Sequence, residues 1–356
     1  MAQQTERFKA FVKLGAFFRE FARQPRPQDE SDESAADWMG RLQGKVSLAG
    51  IKNAWFTQEN VRRAIAAWGD TLREENLSRW LNRYSVENYR PKSVAVIMAG
   101  NIPLVGFHDF LTVLLTGNDI QVKLSSNDGI LLPFVAEYLA SVAPELKEAI
   151  RFPEGPLKGY DAVIATGSDN TARYFEYYFR DKPHIIRRNR NSIAVLGGNE
   201  TASELSALGT DIFSYFGLGC RNVSKLYVPE NYDFQGFFEA IKGFSDIANH
   251  RKYGNNYDYN KAVYLMSGFP ILDNGFLLLK EDASWGSPIG TLYYESYQDP
   301  DRLREQLSPD REKIQCIVGR KQWGFEIAFG QTQAPALWEY ADEVDTVDFL
   351  LKTSQI

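Results

Sequence analysis

The sequence has few of the residues that bind metals or form disulfides. Its 356 residues include two cysteines and three histidines. Two cysteines in so long a chain do not make a disulfide framework, which favours a reducing, cytoplasmic environment. The histidines, His108, His184 and His250, are dispersed, and none has metal-ligand spacing with a cysteine. We therefore expect no metal site, and Cys220 and Cys316 are the candidates for thiol chemistry.

The chain also lacks an excess of positive charge and any long apolar run. Its formal net charge is -6 and its pI is about 5.4, so it has no electrostatic footprint for nucleic acid or an anionic membrane. No stretch approaches the roughly 20 apolar residues of a membrane helix, and the N-terminus lacks the apolar core of a signal peptide. We expect no nucleic-acid partner, no membrane span and a cytoplasmic location.

What remains is a composition typical of a large globular protein. Hydrophobic residues make up 44% and charged residues 24%, which argues against long disorder. A chain of 356 residues exceeds the size at which single cores stop growing. We therefore expect two domains, or one large α/β unit with an annex. Our division is residues 1–196 for N-terminal helices and a nucleotide-binding domain, 197–330 for a catalytic domain and 331–356 for a tail.

The chain alternates between helical and β-prone stretches. Residues spaced three and four apart, four of them phenylalanines, predict an amphipathic helix over 5–21. A continuous β-prone run at 93–99 predicts a strand covered on both faces. Strand and helix then alternate at a spacing that indicates βαβ units and a parallel sheet. Further strands are predicted at 119–124, 161–166, 192–196, 225–228, 261–266, 276–279, 289–297 and 314–318, with later helices at 234–248 and 300–307.

Cys220 has a local sequence that suits a nucleophile. It follows Gly217-Leu218-Gly219 and precedes a strand-like alternation that ends at Pro229. Its sulfur is thus placed at a bend that a substrate can approach. Free cysteines are more often small buried residues, and Cys316, in the apolar run 313–318, fits that description better. The residues alone leave Cys220 open as a nucleophile or an inert thiol.

Five turns along the chain resemble, in order, turns of the aldehyde dehydrogenase superfamily. They are Gly100-Asn101-Ile102-Pro103, Lys123-Leu124-Ser125-Ser126, Thr166-Gly167-Ser168, Leu196-Gly197-Gly198 and Gly217-Leu218-Gly219-Cys220. The stretches 281–288 and 328–330 resemble two later elements, the first with one extra residue. The sequence around Cys220 looks most like fatty acyl-CoA reductases of the LuxC type. The resemblance implies an aldehyde dehydrogenase-like α/β fold, with two Rossmann-like parallel domains and an N-terminal helical segment.

The resemblance also implies a reaction. Cys220 would attack an acyl-CoA thioester, which needs a soft nucleophile, and Arg221 would favour its thiolate. The resulting oxyanion is assigned to the Asn101 amide and the Cys220 N–H, although Asn101 by itself suits a helix cap equally well. Val195 falls where hydrolytic aldehyde dehydrogenases keep the glutamate that activates water. A valine cannot be that base, so the acyl-enzyme should hydrolyse slowly and be reduced instead.

NADPH (NADP) is the implied cofactor. Gly167 opens a helix N-terminus that can seat a pyrophosphate. Ser126 stands where NAD-preferring relatives keep an acidic residue, which would repel a 2′-phosphate, so we expect NADPH to be preferred. Arg187, Arg188 and Arg190 are further candidates for phosphate contacts. No G-x-G-x-x-G follows a strand, but the superfamily lacks it too. The implied cofactor contacts are Lys123, Ser125, Ser126, Gly167 and Ser168. Asp282 or Glu281 would contact the nicotinamide ribose, and Trp285 would pack beside it.

Other functions stay open. A cysteine acyltransferase or thioesterase would use a histidine as its base and need no nicotinamide. A non-catalytic aldehyde dehydrogenase-like subunit would hold Cys220 as an inert thiol. Glutamyl-phosphate reductases share the fold, but the Leu- and Phe-rich sequence offers no obvious pocket for a charged amino-acid tail. Homo-oligomers are usual in the superfamily, so a homo-oligomer is implied, and a dimer is the form we expect.

Overall fold

The computed structural model describes residues 2–23, 37–85, 90–325 and 327–353, and the chain divides into two compact units. Unit 1 comprises Met1–Arg188 and Ala336–Ile356, and unit 2 comprises Asn189–Pro335. The division thus falls before the strand at 191–195, which pairs in the sheet of unit 2, and not after residue 196. Residues 336–356, placed in a tail by the sequence, belong to unit 1.

Unit 1 is built on a five-stranded parallel sheet. Its strands are β1 (Ser93–Ile97), β2 (Asp119–Lys123), β3 (Ile150–Arg151), β4 (Ala162–Thr166) and β5 (His184–Arg187), in the order β3-β2-β1-β4-β5. Its helices are α1 (Ala2–Arg23), α2 (Trp38–Lys52), α3 (Gln58–Thr71), α4 (Glu74–Leu81), α5 (Phe107–Leu115), α6 (Leu131–Val142), α7 (Leu146–Ala149), α8 (Asp169–Phe179) and, numbered last in the chain, α13 (Thr346–Thr353).

The N-terminal helices form part of the main core of unit 1. Phe11, Leu14, Phe18 and Phe21 of α1 are buried there, at successive spacings of three, four and three residues. Phe11 packs edge-on against Phe107 and Phe110 of α5, with ring centroids 6.3 and 6.4 Å apart. The predicted amphipathic helix is therefore confirmed, and the hydrophobic effect on its apolar face fixes it to the sheet layer.

Unit 2 is built on a six-stranded sheet with the order β11-β6-β7-β10-β9-β8. All neighbours pair in parallel except β8, which runs antiparallel to β9. Buried apolar residues form two clusters in this unit. The strands are β6 (Asn191–Val195), β7 (Val223–Pro229), β8 (Ile271–Asp273), β9 (Leu278–Glu281), β10 (Thr291–Tyr297) and β11 (Ile314–Val318), and the helices are α9 (Ala202–Phe213), α10 (Gln235–Ala240), α11 (Arg251–Met266) and α12 (Pro300–Leu307).

The strand predicted at 261–266 is wrong, because these residues end helix α11. This helix buries Tyr253, Tyr257, Asn260 and Tyr264, which are spaced by three and four residues. A helical period sustained over about three turns outweighs the local β propensity of a few residues. Within the parts of the chain that the structure describes, none of the helices combines enough length and hydropathy to cross a membrane.

Candidate active site

Cys220 is exposed on the turn that leads into β7. Its backbone carbonyl accepts a hydrogen bond of 2.8 Å from the Ser192 hydroxyl at the start of β6. The other thiol, Cys316, is only 1% exposed within β11. The structure thus separates the two cysteines as the sequence suggested: one thiol is accessible at a fixed bend and the other is packed in a strand.

The bend before Cys220 has an unusual backbone. Tyr215, Phe216 and Gly217 follow one another with φ of 52°, 61° and 76°, all in the left-handed region. That region is unfavourable for residues with a Cβ, and such residues recur at functional sites. The Phe216 ring also stacks on His250, with centroids 4.2 Å apart. The glycines predicted the bend, but nothing in the sequence indicated that Tyr215 and Phe216 adopt left-handed backbone angles.

Arg221 is held by a network on the other side of the turn. Its Nε donates to the Thr332 carbonyl, and the Thr332 N–H and hydroxyl donate to the Asp211 carboxylate at 3.0 and 2.8 Å. The Gly330 N–H is a third donor to that carboxylate, at 2.6 Å. Burial raises the pKa of Asp211, and the three hydrogen bonds oppose this. The 328–330 element is therefore tied to the end of α9, beside the nucleophile turn.

The segment that contains Asp282 and Trp285 reaches the same end of β7. The Ser224 hydroxyl donates to the Trp285 carbonyl at 3.0 Å, and the buried Lys225 ammonium donates to the Ala283 carbonyl at 2.9 Å. Burial pulls the pKa of Asp282 upwards, but hydrogen bonds from Lys280 and Ser284 outweigh it and lower the pKa to about 2. Asp282 is therefore ionised at neutral pH. The nicotinamide roles of Asp282 and Trp285 stay predictions.

Val195 lies at the opposite end of these strands from Cys220. It is fully buried and level with Tyr227, whereas Ser192, the contact of Cys220, is level with Val223. Three residues of a β-strand span roughly 10 Å. Val195 therefore does not border the thiol. The inference that it replaces a water-activating glutamate beside Cys220 is wrong on this geometry.

The predicted cofactor residues of unit 1 follow the carboxyl ends of three adjacent strands. Ile97 of β1 is level with Lys123 of β2 and Ala165 of β4. The turns at 100–101, 124–126 and 167–168 therefore leave the sheet at one edge. The chain passes from β1 to β2 on one side and later to β4 on the other, and such a switch point is where open α/β sheets bind dinucleotides. This arrangement fits a nicotinamide dinucleotide.

Lys123, Ser125 and Ser168 each have a defined local contact. The Lys123 ammonium donates to the carbonyls of Glu154 and Gly155, at 2.9 and 3.3 Å. The Ser168 hydroxyl caps α8 and accepts from the Thr171 N–H at 3.4 Å. Ser125 packs against the turn after β1, and Ser126 is exposed beside it. The cofactor roles of these residues, and the oxyanion role of Asn101 in unit 1, stay predictions.

Arg187 is not free to bind phosphate. It is 5% exposed, its guanidinium pairs with the Asp109 carboxylate at 2.7 Å, and it donates to Ala341 and Thr346. The basic run 187–190 therefore begins with a buried ion pair that ties β5 to α5 and the C-terminal residues of unit 1. Its next member, Arg188, pairs with Glu176 of α8.

Sequence comparisons match much of the chain to acyl-CoA reductases. The model of the acyl-CoA reductase (LuxC) family matches residues 51–243, which is more than half of the chain. Long-chain acyl-protein thioester reductase 2 of Photobacterium leiognathi is 25% identical over 228 residues. That match covers 56% of this chain and 46% of the relative, so the chain spans about half the length of that protein.

Solved aldehyde dehydrogenases share the fold. Aldehyde dehydrogenase 21 of Physcomitrella patens, in complex with succinate, superposes with a TM-score of 0.66 at 12% identity, covering 99% of this chain and 84% of that one. A putative aldehyde dehydrogenase of Burkholderia cenocepacia gives 0.61 at 14% identity, with 89% and 74% covered. An NAD⁺ complex of the Bacillus cereus enzyme gives 0.59 at 13%, with 90% and 72% covered. The predicted fold is confirmed, and the chain belongs to the LuxC acyl-CoA reductase family.

Proposed function

We propose that the protein is an NADPH-dependent oxidoreductase that reduces a long-chain acyl-CoA to the fatty aldehyde and releases CoA. One observation carries the proposal: Cys220 is an exposed thiol on a bend held by hydrogen bonds, within the residues that match the reductase family. The nicotinamide is supported by the strand-end arrangement of unit 1 and by the NAD⁺ complexes of proteins with this fold.

In the proposed reaction the Cys220 thiolate attacks the thioester carbonyl carbon. The new C–S bond forms as the bond to the CoA sulfur breaks, and CoA leaves with a proton. When bound, NADPH supplies the hydride that reduces the acyl group on Cys220. The resulting thiohemiacetal oxyanion collapses, which releases the aldehyde and restores the Cys220 thiolate. The Cys220 N–H and the Asn101 amide would hold the oxyanion at both steps, a role that rests on the family resemblance.

Residues of unit 1 would hold the cofactor. The N-terminus of α8, after Gly167, would receive the pyrophosphate, and Lys123 would face the adenosine ribose. Ser126 has no charge to repel a 2′-phosphate, which is the basis for NADPH rather than NADH. In unit 2 the ionised Asp282 would accept hydrogen bonds from the nicotinamide ribose.

The test is oxidation of reduced nicotinamide, followed by absorbance, with long-chain acyl-CoA as substrate and NADPH or NADH as donor. We expect oxidation to require acyl-CoA and to fall by several orders of magnitude in Cys220→Ala. The matched control is Cys316→Ala, which removes the buried thiol and should keep the activity of the folded protein. The assay is repeated with a long-chain acyl-protein thioester as substrate. This is the substrate class in the name of the Photobacterium relative.

Three results would contradict the proposal. Full activity in Cys220→Ala would remove the acyl-enzyme. Release of CoA without nicotinamide would favour a cysteine acyltransferase or thioesterase. Binding of NADPH without oxidation by any acyl thioester would favour a non-catalytic subunit.

A further inference from the structure

Asn222 connects the two ends of the turn that carries Cys220. Its side chain is 2% exposed. Its Oδ1 accepts from the Gly219 N–H at 2.8 Å, and its Nδ2 donates to the carbonyls of Asp211 and Ser214 at 3.0 and 2.8 Å. The amide thus spans from the end of α9 to the residue immediately before the nucleophile.

Only a primary amide satisfies both sides of this arrangement. The Gly219 N–H needs an acceptor, and the α9 carbonyls need a donor about one amide width away. A carboxylate would place an oxygen against those carbonyls, and a hydroxyl is too short to reach both sets of partners. The orientation of the amide follows from the same requirement, because the reversed amide would oppose donor to donor and acceptor to acceptor.

The loop that Asn222 closes is the left-handed run Tyr215-Phe216-Gly217. Two of these residues have a Cβ, so the free backbone does not favour their conformation. Hydrogen bonds at both ends of the run therefore oppose its relaxation. A second tie, from the Ser192 hydroxyl to the Cys220 carbonyl, holds the turn from β6. The position of Cys220 depends on these contacts, since the thiol itself is on the exposed side.

We propose that Asn222 is a positioning residue for thioester reduction: it holds the turn so that the Cys220 thiol meets the carbonyl carbon in an attacking geometry. The inference rests on the proposed function in one respect, that Cys220 is the nucleophile. A displacement of about 1 Å can cost roughly 100-fold in rate. Asn222 touches no substrate in this scheme and acts through the backbone of Gly219.

The test compares Asn222→Ala with Asn260→Ala. Asn260 is also buried in unit 2, and its Nδ2 donates to the Ile289 carbonyl at 2.9 Å, so this variant loses a buried amide at a position the scheme does not use. We expect kcat to fall roughly 10- to 100-fold in Asn222→Ala, with KM for acyl-CoA changed by less than about threefold. Asn260→Ala should keep both parameters.

A second readout does not depend on the reductase activity. The rate at which iodoacetamide alkylates Cys220 is measured against pH in each variant, and Cys316 serves as the buried internal reference. We expect a lower rate across the profile in Asn222→Ala alone. Circular dichroism and urea unfolding show which variants are folded. If Asn222→Ala does not fold, Asn222→Ser is measured in its place. Its hydroxyl can satisfy only one set of partners, so its kcat and alkylation rate should be lower than those of wild type but not abolished.

The proposal is overturned if a folded Asn222 variant matches wild type in kcat and in alkylation, or if Asn260→Ala loses kcat equally. Failure of the proposed function gives a different pattern. In that case the wild-type protein oxidises no NADPH with any acyl thioester, while the alkylation profiles of the Asn222 and Asn260 variants still decide whether Asn222 positions the thiol.

Discussion

The two units carry their candidate residues at opposite ends of similar sheets. In unit 1 they follow the carboxyl ends of β1, β2 and β4, where parallel sheets commonly bind dinucleotides. In unit 2, Cys220 and its contact Ser192 lie at the amino ends of β7 and β6. Strand direction therefore distinguishes the cofactor candidates of unit 1 from the nucleophile, although glycine turns mark both in the sequence.

The carboxyl end of β6 shows why a glycine turn alone is not a site. The Gly197 and Gly198 N–H groups donate to the Glu200 carboxylate at 2.7 and 3.1 Å, and the Trp323 ring packs directly on Gly197. The Glu200 carboxylate thus occupies the backbone N–H groups of this turn, which are not available to a bound anion. The cap of α8 in unit 1 is instead the neutral hydroxyl of Ser168.

The strongest test of the assignment to unit 1 is Ser126→Glu. A carboxylate at this exposed position should repel the 2′-phosphate of NADPH and accept the ribose hydroxyls of NADH. We expect the ratio of kcat/KM for NADPH over NADH to fall roughly 100-fold, about 2.7 kcal/mol. Ser141→Glu, which adds the same charge to an exposed position in α6, is the control. An equal loss in both variants would refute the specific role of Ser126.

Gly197→Ala tests whether the turn in unit 2 is closed by packing. An added Cβ would lie 1.9 Å from the Trp323 ring, so the indole or the turn must move. We expect the free energy of unfolding, measured in urea, to fall by about 2 kcal/mol. Gly236→Ala in α10 meets no atom within 4 Å and should be neutral or slightly stabilising. Similar stability of the two variants would show that Trp323 does not fill this turn.

Gly167→Ala is the corresponding change in unit 1, with a smaller and different effect. The added Cβ would lie 3.0 Å from the Thr171 side chain, a contact that a small shift relieves. The main consequence of the added methyl group should be less space for the cofactor pyrophosphate at the N-terminus of α8. We expect KM for NADPH to rise about tenfold while alkylation of Cys220 is unchanged. A loss of alkylation together with NADPH affinity would contradict the separation of the two roles.

The sequence predicted strand order along the chain better than it predicted pairing. The apolar runs of β1 and β4, the alternation of apolar and polar residues in β2 and the helix at 300–307 were recognisable because these patterns are local. Strand β5 was not predicted from the sequence. Its last residue, Arg187, is the first of the stretch read as a basic run, since arginine is a surface residue in most contexts. Here its charge is matched by the buried Asp109, which lies far away in sequence.

The same limit applies to the candidate site. Gly219 and Cys220 form a local motif, so the bend and the exposed thiol could be predicted. The register that separates Val195 from Cys220 could not, because it depends on which strands are neighbours. The hydrogen bonds from Ser192 and Asn222 to backbone carbonyls could not be predicted either. They depend on carbonyls that only the folded chain places beside these side chains.

Two buried carboxylates, one in each unit, show the same dependence on partners. Asp211 in unit 2 accepts from three donors on Gly330 and Thr332. Asp128 in unit 1 accepts from the Leu104 N–H at 3.0 Å through one oxygen, and its other oxygen has no partner among the described residues. Burial raises the pKa of Asp128 from 3.8 to about 6, and the single backbone hydrogen bond only partly opposes it.

Because Asp128 has fewer hydrogen-bond donors than Asp211, we predict that its ionisation makes the stability of the protein depend on pH. This is the smallest of the predicted effects. Its folded pKa lies above the unfolded value, so its contribution is fully present below pH 3.8 and is lost as the pH rises through about 6. Between pH 5 and pH 8 the loss should be about 1 kcal/mol. Asp128→Asn keeps an acceptor for Leu104 and cannot ionise. The free energy of unfolding in urea should therefore become about 1 kcal/mol more favourable to Asp128→Asn than to wild type as the pH rises from 5 to 8. If the free energies of the two proteins change equally with pH, Asp128 is not the group responsible.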